Sequence, residues 1–169
     1  NFVVSCVTSF GIYTEVIETW KHFPEKERQA REALKKATDK TFNIPKNFVH
    51  TSDLIYKFRK EVAEKNVLKL VNHNTGERLK IVDHIGCHYA KIFPNHGIGG
   101  AEFPYVLAGL IDEWGGEQVD YPERRHCCGF GFRQYLLKSN RGYSISNTKK
   151  KLDSMQPYKP DLIITNCPG

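Results

Sequence analysis

Leu79-Lys80-Ile81-Val82 runs directly into Asp83-His84-Ile85-Gly86-Cys87, and how this junction is read decides the fold. A short apolar run that breaks at a glycine has the length and texture of a buried strand ending in a loop. The arrangement recurs twice downstream. Glu117 to Tyr121 reads as a strand leading to Arg124-Arg125-His126-Cys127-Cys128-Gly129, and Asp161-Leu162-Ile163-Ile164-Thr165 reads as a strand ending at Cys167. Helical texture fills the gaps: Phe103 to Trp114, closed by Gly115-Gly116, then about Phe132 to Leu137, then about Ser146 to Met155. Strands alternating with helices predict an α/β fold with a parallel sheet and flanking helices. Ligands of such open sheets bind at the carboxyl edge of the strands. The three loops are therefore expected to bring Cys87, Cys127, Cys128 and Cys167 together at one edge.

Upstream, Phe2-Val3-Val4 is a short β-type run leading to Cys6. Ile12, Val16, Ile17 and Trp20 then share one face at helical spacing. Pro24 opens a charged helix, roughly Glu25 to Asp39, and residues 43–47 form a connector. Thr51-Ser52-Asp53 reads as a cap for a helix with Leu54, Ile55, Phe58, Val62 and Ala63 on one face, and Asn72 to Gly76 reads as a turn. Phe2 to Ser9 is a weak repeat of Leu162 to Gly169, each an apolar strand running into a cysteine.

Composition sets the outer limits. The 169 residues are 26% charged and 40% hydrophobic, ordinary for a globular domain large enough to build a core without staples. Ten Phe, eight Tyr and two Trp argue against disorder. No apolar run approaches the roughly 18–20 residues of a membrane span, and the first residues do not have the pattern of a secretory leader. Because the sequence starts at Asn1 rather than Met, it is read as a piece of a longer protein. The net charge is +6, yet the lysines are scattered. The one tight run, Lys149-Lys150-Lys151, reads as a solvated helix face, and with no basic-aromatic interleaving a nucleic-acid partner is not expected. Five cysteines, two of them adjacent, fit reduced thiols in a cytoplasmic setting, where such clusters point to metal or redox chemistry rather than disulfides. Buried structural thiols are the alternative.

The spacing carries more. Thirty-nine residues separate Cys87 from Cys127-Cys128-Gly129, and thirty-seven more precede Cys167-Pro168-Gly169. This resembles the cysteine-rich CCG domain found in the B subunit of heterodisulfide reductase and in related subunits of sulfur-oxidising and succinate- or fumarate-linked complexes. The resemblance covers roughly residues 79–169. Proteins of this type carry two modules in tandem. It therefore implies that residues 1–45 are the C-terminal part of a first CCG-like module and residues 46–78 a helical connector. Residues 79–169 would be a second module, cut one residue before the second cysteine of its closing Cys-x-x-Cys. In the upstream copy Ser9 stands where that second cysteine would be.

By resemblance, the chain is an iron–sulfur electron-transfer and catalytic subunit of a heterodisulfide reductase-like complex, an oxidoreductase that reduces or forms disulfides of small thiols. The implied cofactor is a non-cubane 4Fe-4S cluster, and the implied partners are the other subunits of the complex and a small thiol or disulfide. The resemblance assigns Cys87, Cys127, Cys128 and Cys167 as metal ligands and Cys6 as a ligand in the first module; Cys127 and Cys128 are the candidate catalytic pair, with His88 a candidate for catalysis from its place beside Cys87. Independently of family, iron–sulfur clusters need soft, deprotonated cysteines. A non-catalytic zinc-binding or complex-assembly module using the same cysteines is the rival reading. His88 and His126 flank the cysteines as proton donors to a leaving thiolate or as bystanders. Arg124 and Arg125 are candidates for a substrate carboxylate or phosphate, or for a solvated loop. Gly129-Phe130-Gly131 is only half of a dinucleotide fingerprint. A hydroxyl is a poor iron ligand, so Ser9→Cys is expected to raise the iron content of the intact protein. Unchanged iron would count against Cys6 and Ser9 forming half of a second site.

Overall fold

Lys80–His84 (β3) is the strand around which the cysteine-bearing half is built. In the computed structural model, which describes residues 2–43, 45–65, 69–92, 97–131 and 136–168, it lies between two parallel neighbours, Glu117–Gln118 (β4) and Leu162–Thr165 (β5), in the order β4-β3-β5. Ile81 pairs with Gln118 on one side and Leu162 on the other. Ile81 and Val82 are both fully buried, the mark of a strand covered on both faces. Successive residues point to opposite faces: Ile81 lies toward Gly116 and Ile111, whereas Val82 packs with Tyr121 and Met155. Asp161 fixes the register at the start of β5, where its carboxylate accepts from the Lys80 N–H and its own N–H donates to the Lys80 carbonyl.

The elements before β3 are Phe2–Val4 (β1), Val7–His22 (α1), Pro24–Thr38 (α2), Phe48–His50 (β2), Thr51–Lys57 (α3) and Arg59–Lys65 (α4). β1 and β2 form a separate parallel pair, so a strand stands inside the stretch read as a helical connector. After β3 come a π-helical turn at His88–Ile92, then Val106–Glu113 (α5) and Arg141–Met155 (α6), with a 3-10 turn at Gln156–Tyr158. Val4, Val7, Phe10, Tyr89, Ala90, Val106, Leu107 and Leu110 make one core. It joins β1 and α1 to the turn after Cys87 and to α5.

Several sequence expectations need correction. α1 is a helix, but it meets the core through its first turns, burying Val7, Phe10 and Gly11, while Ile12 and Val16 of the expected face are exposed. The cap before α3 is His50, whose ring nitrogen accepts from the Ser52 N–H, and the expected single helix is divided into α3 and α4 at Phe58. α5 starts at Val106 rather than Phe103, since Pro104 disfavours helical backbone at the residue before it. β4 is only two residues long, and α6 starts five residues earlier than expected, at Arg141. The short helix expected from about Phe132 falls largely on residues 132–135, outside the described residues. Lys149 and Lys150 are solvated as read, but Lys151 is 5% exposed.

At the sheet edge Gly86 is a contact point for three elements. A methyl added there would stand 3.0 Å from the Cys167 Cβ and 3.0 Å from a Val7 methyl, and the Gly86 N–H donates to the Asn166 side chain at 2.9 Å. Gly86→Ala is therefore expected to cost about 1–3 kcal/mol through overpacking, read as a lower denaturant midpoint of the full-length protein. An unchanged midpoint would contradict this packing.

Candidate metal and thiol site

Because β3, β4 and β5 are parallel, the chain leaves all three at the same edge. β3 leads to Cys87, β4 through residues 119–126 to Cys127 and Cys128, and β5 to Cys167. β4 and β5 lie on opposite sides of β3, so this edge is the point where strand order reverses, the place at which open α/β sheets bind their ligands. Burial raises the Cys87 pKa first, and the charges of Cys127, Cys128 and Cys167 raise it further. The parallel strands thus deliver the three cysteine-bearing loops to a single sheet edge. All five cysteines are free thiols, Cys127 the exposed one and the others partly buried.

Cys6 stands apart from this set. It occupies the cap position of α1, and its pKa is lowered chiefly by the backbone N–H of Ser9, helped by the Ser9 hydroxyl and by Thr8. A thiol at a helix N-terminus is stabilised as thiolate. Ser9 thus lies on the first turn of α1, beside Cys6. The two regions touch nearby, where the Thr8 hydroxyl lies 3.0 Å from His88 Nδ1.

The Cys127–Cys128 loop is held from below by one face of α6. Ser144 donates to the Gly129 carbonyl, Thr148 to the Cys128 carbonyl at 2.7 Å, and Lys151 to the carbonyls of Glu123, Arg124 and His126. These residues are four and three apart, so they share one helix face. Gly129 has φ +90°, and a Cβ there would meet the Ser144 carbonyl at 2.2 Å, so only glycine fits. Its N–H donates to Cys127 Sγ at 3.3 Å. Beside Cys128 opens a cleft of about 610 Å³, walled largely by Phe130, Ile145 and Leu152.

Other sequence candidates are placed differently. Arg124 turns inward, with Nε 2.6 Å from the Asp83 carboxylate and a second contact to Asp120. It is committed to the fold rather than offered to a substrate. His126 is exposed and pairs with Glu123, which also meets Lys150. Their bonds to Glu123, the His126 one foremost, hold its carboxyl below the usual range. Sequence reasoning passed over Ser144, Thr148, Lys151, Asp83 and Asn166. The available signal was a polar stripe at helical spacing on α6, out of phase with Ile145 and Leu152.

The donor set suits a cluster of thiolate ligands. Soft sulfurs come from three loops, with a backbone N–H aimed at one of them and a glycine that lets the chain turn tightly. Among the described residues no three His, Cys, Asp or Glu side chains are grouped to hold one metal ion. Among the described residues, too, no helix is long and apolar enough to cross a membrane.

His84 follows Asp83 on β3. Burial, aided by the nearby charge of Lys151 and opposed by Asp83, lowers its pKa to about 4, and among the described residues its Nδ1 has no hydrogen-bond partner. A folded pKa below the ordinary value means the fold favours the neutral ring, so its contribution is present above about 6.5 and is lost as pH falls toward 4. The unfolding midpoint of the full-length protein is expected to drop across that window, and to drop less in His84→Asn. Equal slopes in both would contradict it.

The profile of the cysteine-rich CCG domain matches residues 81–169. Among known proteins, the chain is 36% identical over 92 residues to the B subunit of ferredoxin:CoB-CoM heterodisulfide reductase from Methanosarcina acetivorans, covering 54% of this chain and 29% of that protein. The B subunit of the same name from Methanosarcina mazei is 30% identical over 90 residues, 53% of this chain and 29% of that protein. The B subunit of a ferredoxin/F(420)H(2)-dependent CoB-CoM heterodisulfide reductase from M. acetivorans is 29% identical over 119 residues, 70% of this chain and 37% of that protein. The chain thus spans about a third of the length of these relatives.

Proposed function

We propose, starting from the fact that this chain belongs to the cysteine-rich CCG domain family, that it is part of an iron–sulfur subunit of a heterodisulfide reductase-like complex. The subunit interconverts thiols and disulfides of small molecules, in cytoplasm that keeps its cysteines reduced. One observation carries the reading: β3, β4 and β5 run parallel, so the loops bearing Cys87, the Cys127-Cys128 pair and Cys167 all leave the same sheet edge. Cys87, Cys127, Cys128 and Cys167 would hold the cluster, of the non-cubane 4Fe-4S type, with Cys6 a ligand of the preceding module. A bound cluster supplies electrons singly to a reaction that needs two.

The protein's own groups do the rest. The cleft beside Cys128 gives a small thiol or disulfide an apolar approach to the vicinal pair. His88, next to Cys87 and held by Thr8, carries a proton for a leaving thiolate. Residues 1–45 are taken as the tail of a first module, 46–78 as the connector and 79–169 as the second module. The parallel strand β1 running into Cys6, as β5 runs into Cys167, supports that division.

The test is metal and acid-labile sulfide analysis of the full-length protein, purified anaerobically, with two variants. Wild type is expected to contain iron and sulfide. Cys128→Ala is expected to lose or alter the visible and paramagnetic signals. His88→Ala is expected to keep those signals while turnover slows, by roughly 10²–10⁴-fold at most. Zinc without sulfide would put the zinc-module reading ahead, and an unchanged cluster in Cys128→Ala would remove Cys128 from the ligand set.

A further inference from the structure

Lys151 is the least expected residue in the site region. It is the last of three consecutive lysines and is almost wholly buried, whereas Lys149 and Lys150 lie in solvent. Its ammonium lies 2.6, 3.1 and 2.9 Å from the carbonyl oxygens of Glu123, Arg124 and His126. Three donors meet three acceptors, which uses the full capacity of a protonated lysine. The remaining carbonyl of this segment, Arg125, accepts from Lys91 on the π-helical turn after Cys87. The four carbonyls of residues 123–126 thus converge on two cations, just before the vicinal cysteines.

Burying an ammonium is costly, and a fold that needed only to close this loop has cheaper neutral donors. The location of the charge suggests its use. Burial lowers the Lys151 pKa, while the charges of Cys128, Glu123 and Cys127 act to keep it protonated. The ammonium is shielded from solvent, unlike those of Lys149 and Lys150, so its charge reaches the adjoining cysteine loop with less screening than theirs.

We propose that Lys151 is a positioning residue of the redox site: it fastens the loop carrying Cys127 and Cys128, and its fixed positive charge favours the reduced state of the centre those thiolates hold. This rests on the iron–sulfur reading of the site. Lys91, on the exposed side, fastens the same loop with its charge screened by solvent. Arg124 is neutralised by Asp83 and Asp120, and Glu123 opposes Lys151 from a carboxylate already engaged by Lys150 and His126. Lys151 is thus the buried cation next to the pair that, among the described residues, has no side-chain carboxylate bound to its ammonium.

The test is a redox titration of the cluster in anaerobic, full-length protein carrying Lys151→Gln, Lys151→Arg or Lys91→Met. Lys151→Gln keeps a hydrogen-bonding side chain and loses the charge. It is expected to reduce the equilibrium constant for one-electron reduction at least about ten-fold, a move of about 59 mV to more negative potential. Lys151→Arg is expected to stay within about three-fold of wild type, and Lys91→Met to move less than Lys151→Gln. A wild-type potential in Lys151→Gln, or an equal fall in Lys151→Arg, overturns the proposal. If Lys151→Gln loses its iron while Lys151→Arg retains it, the requirement for charge is upheld by iron content; loss in both variants overturns it. Should wild-type protein carry no iron, the cluster reading fails separately, and amide hydrogen exchange over residues 123–129 still tests the fastening. Exchange is expected to quicken at least roughly three-fold in Lys151→Gln and to hold in Lys151→Arg, and equal rates in all three proteins overturn it.

Discussion

The parallel register of β4, β3 and β5 is the constraint on which everything else rests. Parallel strands release the chain at one edge, and a central strand with neighbours entered from opposite directions leaves a crevice there. β3 meets both conditions with five residues, buried on both faces and paired on both sides. Were either neighbour antiparallel, its cysteine would stand at the far end of the sheet. Gly86, pressed between Cys167 and Val7, shows how closely the loops are packed once the register is fixed.

Close loops create a second problem. A loop at a sheet edge exposes carbonyls that no strand will satisfy, and buried ones must find donors. α6 supplies them from Ser144, Thr148 and Lys151. This accounts for the polar residues on a helix face that ends in Met155, buried against Val82, while Ile145 and Leu152 stay outside, on the wall of the cleft. These bonds go to backbone carbonyls, whatever the side chains of the loop, and they fix where Cys127 and Cys128 stand. On the other side Asn166, joined to the Gly86 N–H and to Ser52, ties the closing cysteine loop to the elements that follow β2.

The alternation of short apolar runs with helical stretches made the sheet legible in the sequence, and with it the one edge from which the loops of Cys87, Cys127, Cys128 and Cys167 leave. These features depend on local periodicity, which survives folding. What stayed hidden depends on tertiary partners. The buried face of α1 was misread because contact with Val4, Tyr89 and α5 chooses Val7 and Phe10 over the more periodic Ile12 and Val16. Lys151 looked like its neighbours because three lysines in a row carry no sign of which one faces loop carbonyls. Arg124 looked available because its partner, Asp83, is 41 residues away in sequence. His50 as a cap was invisible for a simpler reason: histidine is not among the side chains that usually fill that position.

The central claim is that four cysteines from three parallel-strand loops hold one iron–sulfur centre. Diffraction from anaerobically grown crystals of the full-length protein, recorded on both sides of the iron absorption edge, tests it most directly. The account predicts an anomalous peak of several irons in the crevice at the β4-β3-β5 edge, within bonding reach of Cys87, Cys127, Cys128 and Cys167. A lone zinc peak there, or iron bound elsewhere with these sulfurs unligated, would contradict it.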